Sequence, residues 1–197
     1  MGKIGWWAWL AAMTLLFIVF MTNTAAANGA RYACVVLAAG AAWFLWQTRG
    51  RRREQRWLAA GMTVSLVTDA VLLFAPTSRW VPLAVGLFAA VHWCYLHRFG
   101  PVWPAAALAA GTALLSGALG WLLPAAGLYA GLLLTDAVVT WRGELPSVQA
   151  TWLARAGVTA FVLCDVVVAL GAVGRSDPGW SWLFYWPALV LFVASAR

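Results

Sequence analysis

Lysine is almost missing from this chain: Lys3 is the only one among 197 residues. A lysine held at mid-membrane, as a Schiff base to a retinal-like aldehyde needs, is therefore excluded. Charge of either sign is sparse, at 10% of residues, where soluble proteins carry about 25%. Histidine is limited to His92 and His97, and cysteine to Cys34, Cys94 and Cys164. The three cysteines sit inside apolar runs with no CxxC spacing, which argues against a disulfide framework and a zinc site. His97 lies five residues beyond His92 and so points elsewhere on a helix. No metal-ligand cluster results, and neither a metal nor an organic cofactor is expected. Ser65 and Ser116 show no evident Ser-His-Asp arrangement.

What the chain has in quantity is apolar length. Hydrophobic residues make up 64% and the mean hydropathy is +0.82. Eight runs stand out, at about 4–22, 32–46, 57–74, 81–98, 103–119, 122–141, 151–173 and 180–196. Each is read as a helix, because lipid offers nothing to satisfy an open sheet edge or loop. The run from Ile4 to Phe20 exceeds the roughly 7–15 residues of a signal sequence's apolar core, so it is taken as a retained first span. No stretch of soluble composition is left over. The expectation is an all-α, polytopic membrane protein, one bundle of eight transmembrane helices forming a single domain over residues 1–197.

The net charge of +7 is explained by orientation and lipid headgroups rather than by nucleic acid. With eight spans and both termini cytoplasmic, Lys3 and nine arginines lie inside, against Arg31, Arg79 and Arg175 outside. Fusing the fifth and sixth spans moves Arg142, Arg155 and Arg197 outside and weakens that bias. Most of the fifteen tryptophans, among them Trp57, Trp80, Trp141 and Trp152, fall near span ends as interfacial anchors. The expected location is the cell membrane, as a multi-pass protein, and the composition suggests a bacterial inner membrane. Membrane lipids are the expected surroundings.

Against that background, mid-span ionisable groups stand out. Each costs at least ~2.5–3.5 kcal/mol at the centre of a helix, so it usually faces a cavity or a partner. Counting at ~1.5 Å per residue puts Asp69 roughly 18 Å, Asp165 roughly 21 Å and His92 about 14 Å above the inner face. Tyr129 and Tyr185 come out at about 20 and 22 Å by the same rise. Helices of opposite direction thus bring their polar groups to nearly one level. Asp136 counts to only roughly 9 Å, within reach of headgroups or Arg142, and is assigned a structural or accessory role. Tyr95, three residues after His92, shares its helical face.

A structural polar pair is the ordinary explanation for two buried carboxyls, with Ser65, Thr68, Thr159 or His92 as bonding partners. Their common depth with a histidine and tyrosines favours chemistry instead. Two carboxyls out of water cannot both ionise cheaply, so one is expected protonated and one ionised near neutrality. Such a pair can divide general acid from general base, as in the opening of an ether or acetal. Proton-coupled lipid or small-solute transporters use the same residue types and are the alternative. The lack of evident inverted repeats weighs against them.

The order of these motifs resembles the lysoplasmalogenase (YhhN-like) family of integral membrane hydrolases. SLVTDAVLL carries Asp69 where that family has its third-span aspartate. Phe88, His92 and Tyr95 match a Phe-x-x-x-His-x-x-Tyr pattern in the next span. Pro124 and Tyr129 match a proline followed by a tyrosine, and Gly157, Phe161 and Asp165 match the seventh-span pattern. Phe184 and Tyr185 stand at a Tyr-Tyr segment. Thr68 replaces the usual glycine, Cys164 the usual serine, and Arg31-Tyr32 a common Lys-Pro; Asp136 falls where methionine is usual. The resemblance implies hydrolysis of the vinyl ether bond of a lysoplasmalogen, a lysophospholipid substrate, to a fatty aldehyde and a glycerophospho-headgroup compound. Asp69 and Asp165, with His92, would then be catalytic, and Tyr95, Tyr129, Tyr185 and Ser65 would bind substrate.

Overall fold

A computed structural model describes residues 2–23, 25–75, 80–99, 122–172, 175 and 177–197. Among these the protein is all-helical, with seven α-helices and no strand. They are α1 (Lys3–Thr22), α2 (Ala27–Thr48), α3 (Arg53–Phe74), α4 (Val81–Leu96), α5 (Leu122–Arg142), α6 (Val148–Ala172) and α7 (Trp182–Ser195). A 3₁₀ turn, Pro178–Ser181, leads into α7. The run expected at 103–119 lies outside the described residues.

Four helices, α1, α2, α3 and α6, are long and apolar enough to cross a membrane, and α4 and α7 are shorter apolar helices. The second run is longer than the sequence suggests: α2 spans 22 residues, because its first turns carry Asn28, Gly29 and Arg31, which dilute hydropathy without stopping a helix. Large apolar side chains such as Trp7, Leu15, Val67 and Leu134 face outward, as lipid permits.

Helix ends gather the charges at one end of the bundle. Arg49, at the end of α2, donates to the Arg197 carbonyl after α7. Gln55 at the start of α3 donates to the Ala196 carbonyl at 2.9 Å. Arg98, just past α4, donates to Ser195 Oγ at 2.7 Å. The reversal between α2 and α3 uses left-handed backbone at Gly50 (φ 85°) and Arg51 (φ 54°). A Cβ at Gly143, after α5, would press on the Phe99 ring, so α4 and α5 finish side by side. Both therefore run toward this arginine-rich end.

Lipid tails are as apolar as leucine, so close approach and hydrogen bonds, rather than exclusion from water, hold such helices together. Gly61 on α3 lets the Tyr95 ring of α4 lie directly against its backbone. Trp9 Nε1 donates to the Leu37 carbonyl of α2 and Trp186 Nε1 to the Met13 carbonyl of α1, both at 3.0 Å. The buried core runs through Met13, Val35, Leu58, Met62, Phe161 and Phe192. α6 packs extensively on α7, and α3 on α4.

Candidate active site

Five helices, α3 to α7, and the 3₁₀ turn enclose a half-open cavity of about 210 Å³. It occupies the half of the bundle away from the arginine-rich end, because its lining comes from late α3 and α6 and from early α4 and α7. Leu72, Val85, Phe88 and Val168 make much of its wall apolar. Two carboxyls, Asp69 and Asp165, and the hydroxyls of Tyr129, Tyr185 and Ser181 interrupt that wall.

Asp69, on α3, is 3% exposed. Its Oδ2 accepts a hydrogen bond from the Tyr185 hydroxyl of α7 at 2.6 Å. The edge of the Tyr185 ring meets Phe161 and Trp182, at centroid distances of 5.5 and 4.9 Å. Asp165, on α6, is only partly buried. Tyr129 of α5 turns its hydroxyl toward it without closing an aligned bond. Asp165 Oδ2 and Tyr129 Oη have no hydrogen-bond partner among the described residues. The two carboxyls are thus unlike: Asp69 accepts a bond from Tyr185, whereas Asp165 Oδ2 has no partner among the described residues.

His92 lies beneath the cavity rather than in its wall. It is fully buried, with its ring 4.9 Å from Phe161 and 5.6 Å from Tyr129, both of which line the cavity. Its Nδ1 lies 2.9 Å from Asp136 Oδ2. The other carboxyl oxygen of Asp136 accepts from Thr140 Oγ1 at 3.2 Å. Asp136 therefore meets neither headgroups nor Arg142, the partners its counted depth suggested. The counted levels of Asp136 and His92 differ by roughly 5 Å, which two side chains leaning toward each other cover.

Tyr95 and Ser65 do not line the cavity. Their hydroxyls face each other, both residues are fully buried, and the Tyr95 ring packs on Phe192 at 4.8 Å. Tyr95 lies one turn from His92 on α4, but its ring packs against Gly61 of α3 and Phe192 of α7. At the other end of the site, the Arg31 guanidinium lies over Phe20 at 5.2 Å and over Trp182 at 5.4 Å. Trp182 is itself cavity wall. Among the described residues, no cluster of three or more His, Cys, Asp or Glu side chains is set to hold a metal ion.

A sequence model of the YhhN family matches residues 28–196. The chain belongs to the YhhN family. No curated protein and no solved structure matches it. In this YhhN-family chain the match takes in every residue of the cavity wall. Ser181 and Trp182, which close the wall at the start of α7, carry no charge and gave no signal in the sequence. Phe161 and Phe88 stood in the motif pattern, and both are wall residues. The Asp136–His92 pair could have been suspected only from both side chains being mid-run ionisable groups.

Proposed function

We propose that the chain is a membrane-embedded hydrolase that cleaves the vinyl ether bond of a lysoplasmalogen to a fatty aldehyde and a glycerophospho-headgroup compound. One observation carries the reading: two carboxyls from separate helices, each accompanied by a tyrosine, on one half-open apolar cavity. The apolar wall suits the alkenyl chain. Arg31, one ring away from the cavity, suits the phosphate of the headgroup.

The protonated carboxyl of the pair gives its proton to C2 of the vinyl ether. The double bond's electrons form the new C–H bond, and the ether oxygen's lone pair makes an oxocarbenium ion at C1. The remaining carboxylate stabilises that cation through the dry site, where such an interaction is strongest. With His92 it orients and deprotonates a water that attacks C1, giving a hemiacetal. Breaking C1–O then releases the aldehyde. One proton goes to the departing glycerol oxygen and the hemiacetal hydroxyl proton restores the acid. The sum is one water added. Tyr185 holds Asp69 in place, and Tyr129 is free to bond the ether or glycerol oxygen.

The eight-span arrangement with both termini on the cytoplasmic side is part of this proposal. It is supported by α4 and α5 both finishing at the arginine-rich end, which the eight-span count requires and a seven-span count does not. The bacterial inner membrane is the proposed location.

Aldehyde release by purified protein from lysoplasmalogen, against an acyl lysolipid control, tests the reading. Wild type is expected to release aldehyde, and Asp69→Asn and Asp165→Asn are expected to lose it. Full activity in both variants would refute the carboxyl mechanism. A second reading, a proton-coupled carrier, is favoured by the polar line that continues from His92 and Asp136 to Arg98 and Ser195. Uptake of lysolipid into vesicles with no product formed would decide for it.

A further inference from the structure

Beneath the cavity, His92 is paired with a buried carboxyl, Asp136, that the chemistry above does not use. His92 is 0% exposed and Asp136 1% exposed, and a carboxyl beside an imidazole in such a place needs a reason. We propose that Asp136 is a positioning residue, holding His92 in the tautomer whose Nε2 lone pair takes the proton of the attacking water. The proposal rests on the hydrolase reading and assigns the atom that reading left open.

The geometry supplies the tautomer. A carboxylate oxygen 2.9 Å from Nδ1 can only accept, so Nδ1 carries the proton. In a neutral ring, Nε2 is then a bare acceptor. It lies on the opposite edge of the ring from Asp136, is buried, and has no hydrogen-bond partner among the described residues. A lone pair so placed, with no protein donor, is an opening for one water.

The surroundings on every packed element agree. Along α4 itself, Tyr95 lies 6.1 Å from the ring. From α5, Tyr129 and Asp136 face it. From α6 come Phe161 and, within electrostatic reach, Asp165. Tyr129, Phe161 and Asp165 all line the cavity, so the ring packs directly beneath the cavity wall, and the proposal takes Nε2 as the nitrogen that a water from that side reaches. Asp136 is also within electrostatic reach of Arg98 and accepts from Thr140. When Nε2 gains a proton, the same carboxylate stabilises the imidazolium, which is the division of labour in Asp–His pairs generally.

The proton balance closes. The bond between C1 and the water oxygen forms, and the water O–H breaks toward Nε2. When the hemiacetal collapses, the imidazolium returns that proton to the glycerol oxygen as C1–O breaks. Asp136 keeps its charge throughout and touches no reacting atom.

The test combines histidine ¹⁵N NMR with kinetics on the full chain in detergent or nanodiscs. The two histidines are distinguished by His97→Phe. Resting wild type is expected to show His92 protonated at Nδ1 and bare at Nε2. In Asp136→Asn that preference should be lost, with kcat for aldehyde release down roughly 10²–10⁴-fold and KM within about twofold. Asp136→Glu, which restores the carboxylate, should recover part of kcat. A resting ring protonated at Nε2, alone or with Nδ1, overturns the proposal. So does an Asp136→Asn protein that keeps kcat within twofold. If Asp136→Asn does not fold, the wild-type tautomer and the Asp136→Glu rate decide. If wild type releases no aldehyde, the substrate assignment fails, and the tautomer alone decides whether Asp136 positions His92.

Discussion

Replacing Tyr185 by phenylalanine deletes one oxygen from the cavity wall. The ring keeps its contacts with Trp182 and Phe161, so no void opens. What is lost is the 2.6 Å bond to Asp69 Oδ2, between two residues that are 4% and 3% exposed. A hydrogen bond to a charged group is worth about 1.5–3 kcal/mol net. If that bond holds Asp69 in its reacting position, the whole amount falls on the transition state. At about 1.4 kcal/mol per tenfold, kcat should drop roughly 10- to 150-fold. KM should change little, because the substrate still meets the same apolar wall. Aldehyde release by the purified variant gives kcat, and thermal unfolding in the same detergent gives stability. A bond that merely ties α3 to α7 would lower the melting temperature and leave kcat per folded molecule alone. A variant with wild-type kcat, whatever its melting temperature, would refute the role given to Tyr185.

Other consequences can be checked separately. Gly61→Ala puts a methyl group into the Tyr95 ring and should cost about 1–3 kcal/mol by overpacking, read as a lower unfolding temperature. Gly40→Ala on α2, which meets nothing within 4 Å, should be neutral or slightly stabilising in the same measurement. Arg31→Gln should raise KM for lysoplasmalogen about fivefold, from the loss of roughly 1 kcal/mol of partly exposed charge attraction. An alkenyl glycerol without phosphate should show the same KM for variant and wild type. Equal KM values on both substrates would remove Arg31 from headgroup recognition.

Depth was legible in the sequence and rotation was not. Rise per residue is fixed in a helix, so counting from the span ends placed Asp69, Tyr129, Asp165 and Tyr185 at nearly one level, and these four line one cavity. Helices apolar all round have no polar stripe to show which face turns inward. Nothing therefore indicated that Tyr95 and Ser65 face the α3–α4 seam instead of the cavity. The same ambiguity hid the Asp136–His92 pair, since a counted level says nothing of where a side chain leans. Helix ends were blurred for a related reason. Polar residues such as Asn28 and Arg53 interrupt hydropathy, yet their backbones continue α2 and α3.

The most direct measurement is kcat for aldehyde release from lysoplasmalogen by Asp69→Asn, Asp165→Asn and the double variant, each verified as folded. Carboxyls that act as a unit give losses that do not multiply. Each single variant should fall roughly 10²–10⁴-fold, with the double variant no more than about tenfold below the worse of them. Losses that multiply, or a single variant that retains the wild-type rate, would contradict a shared acid–base site.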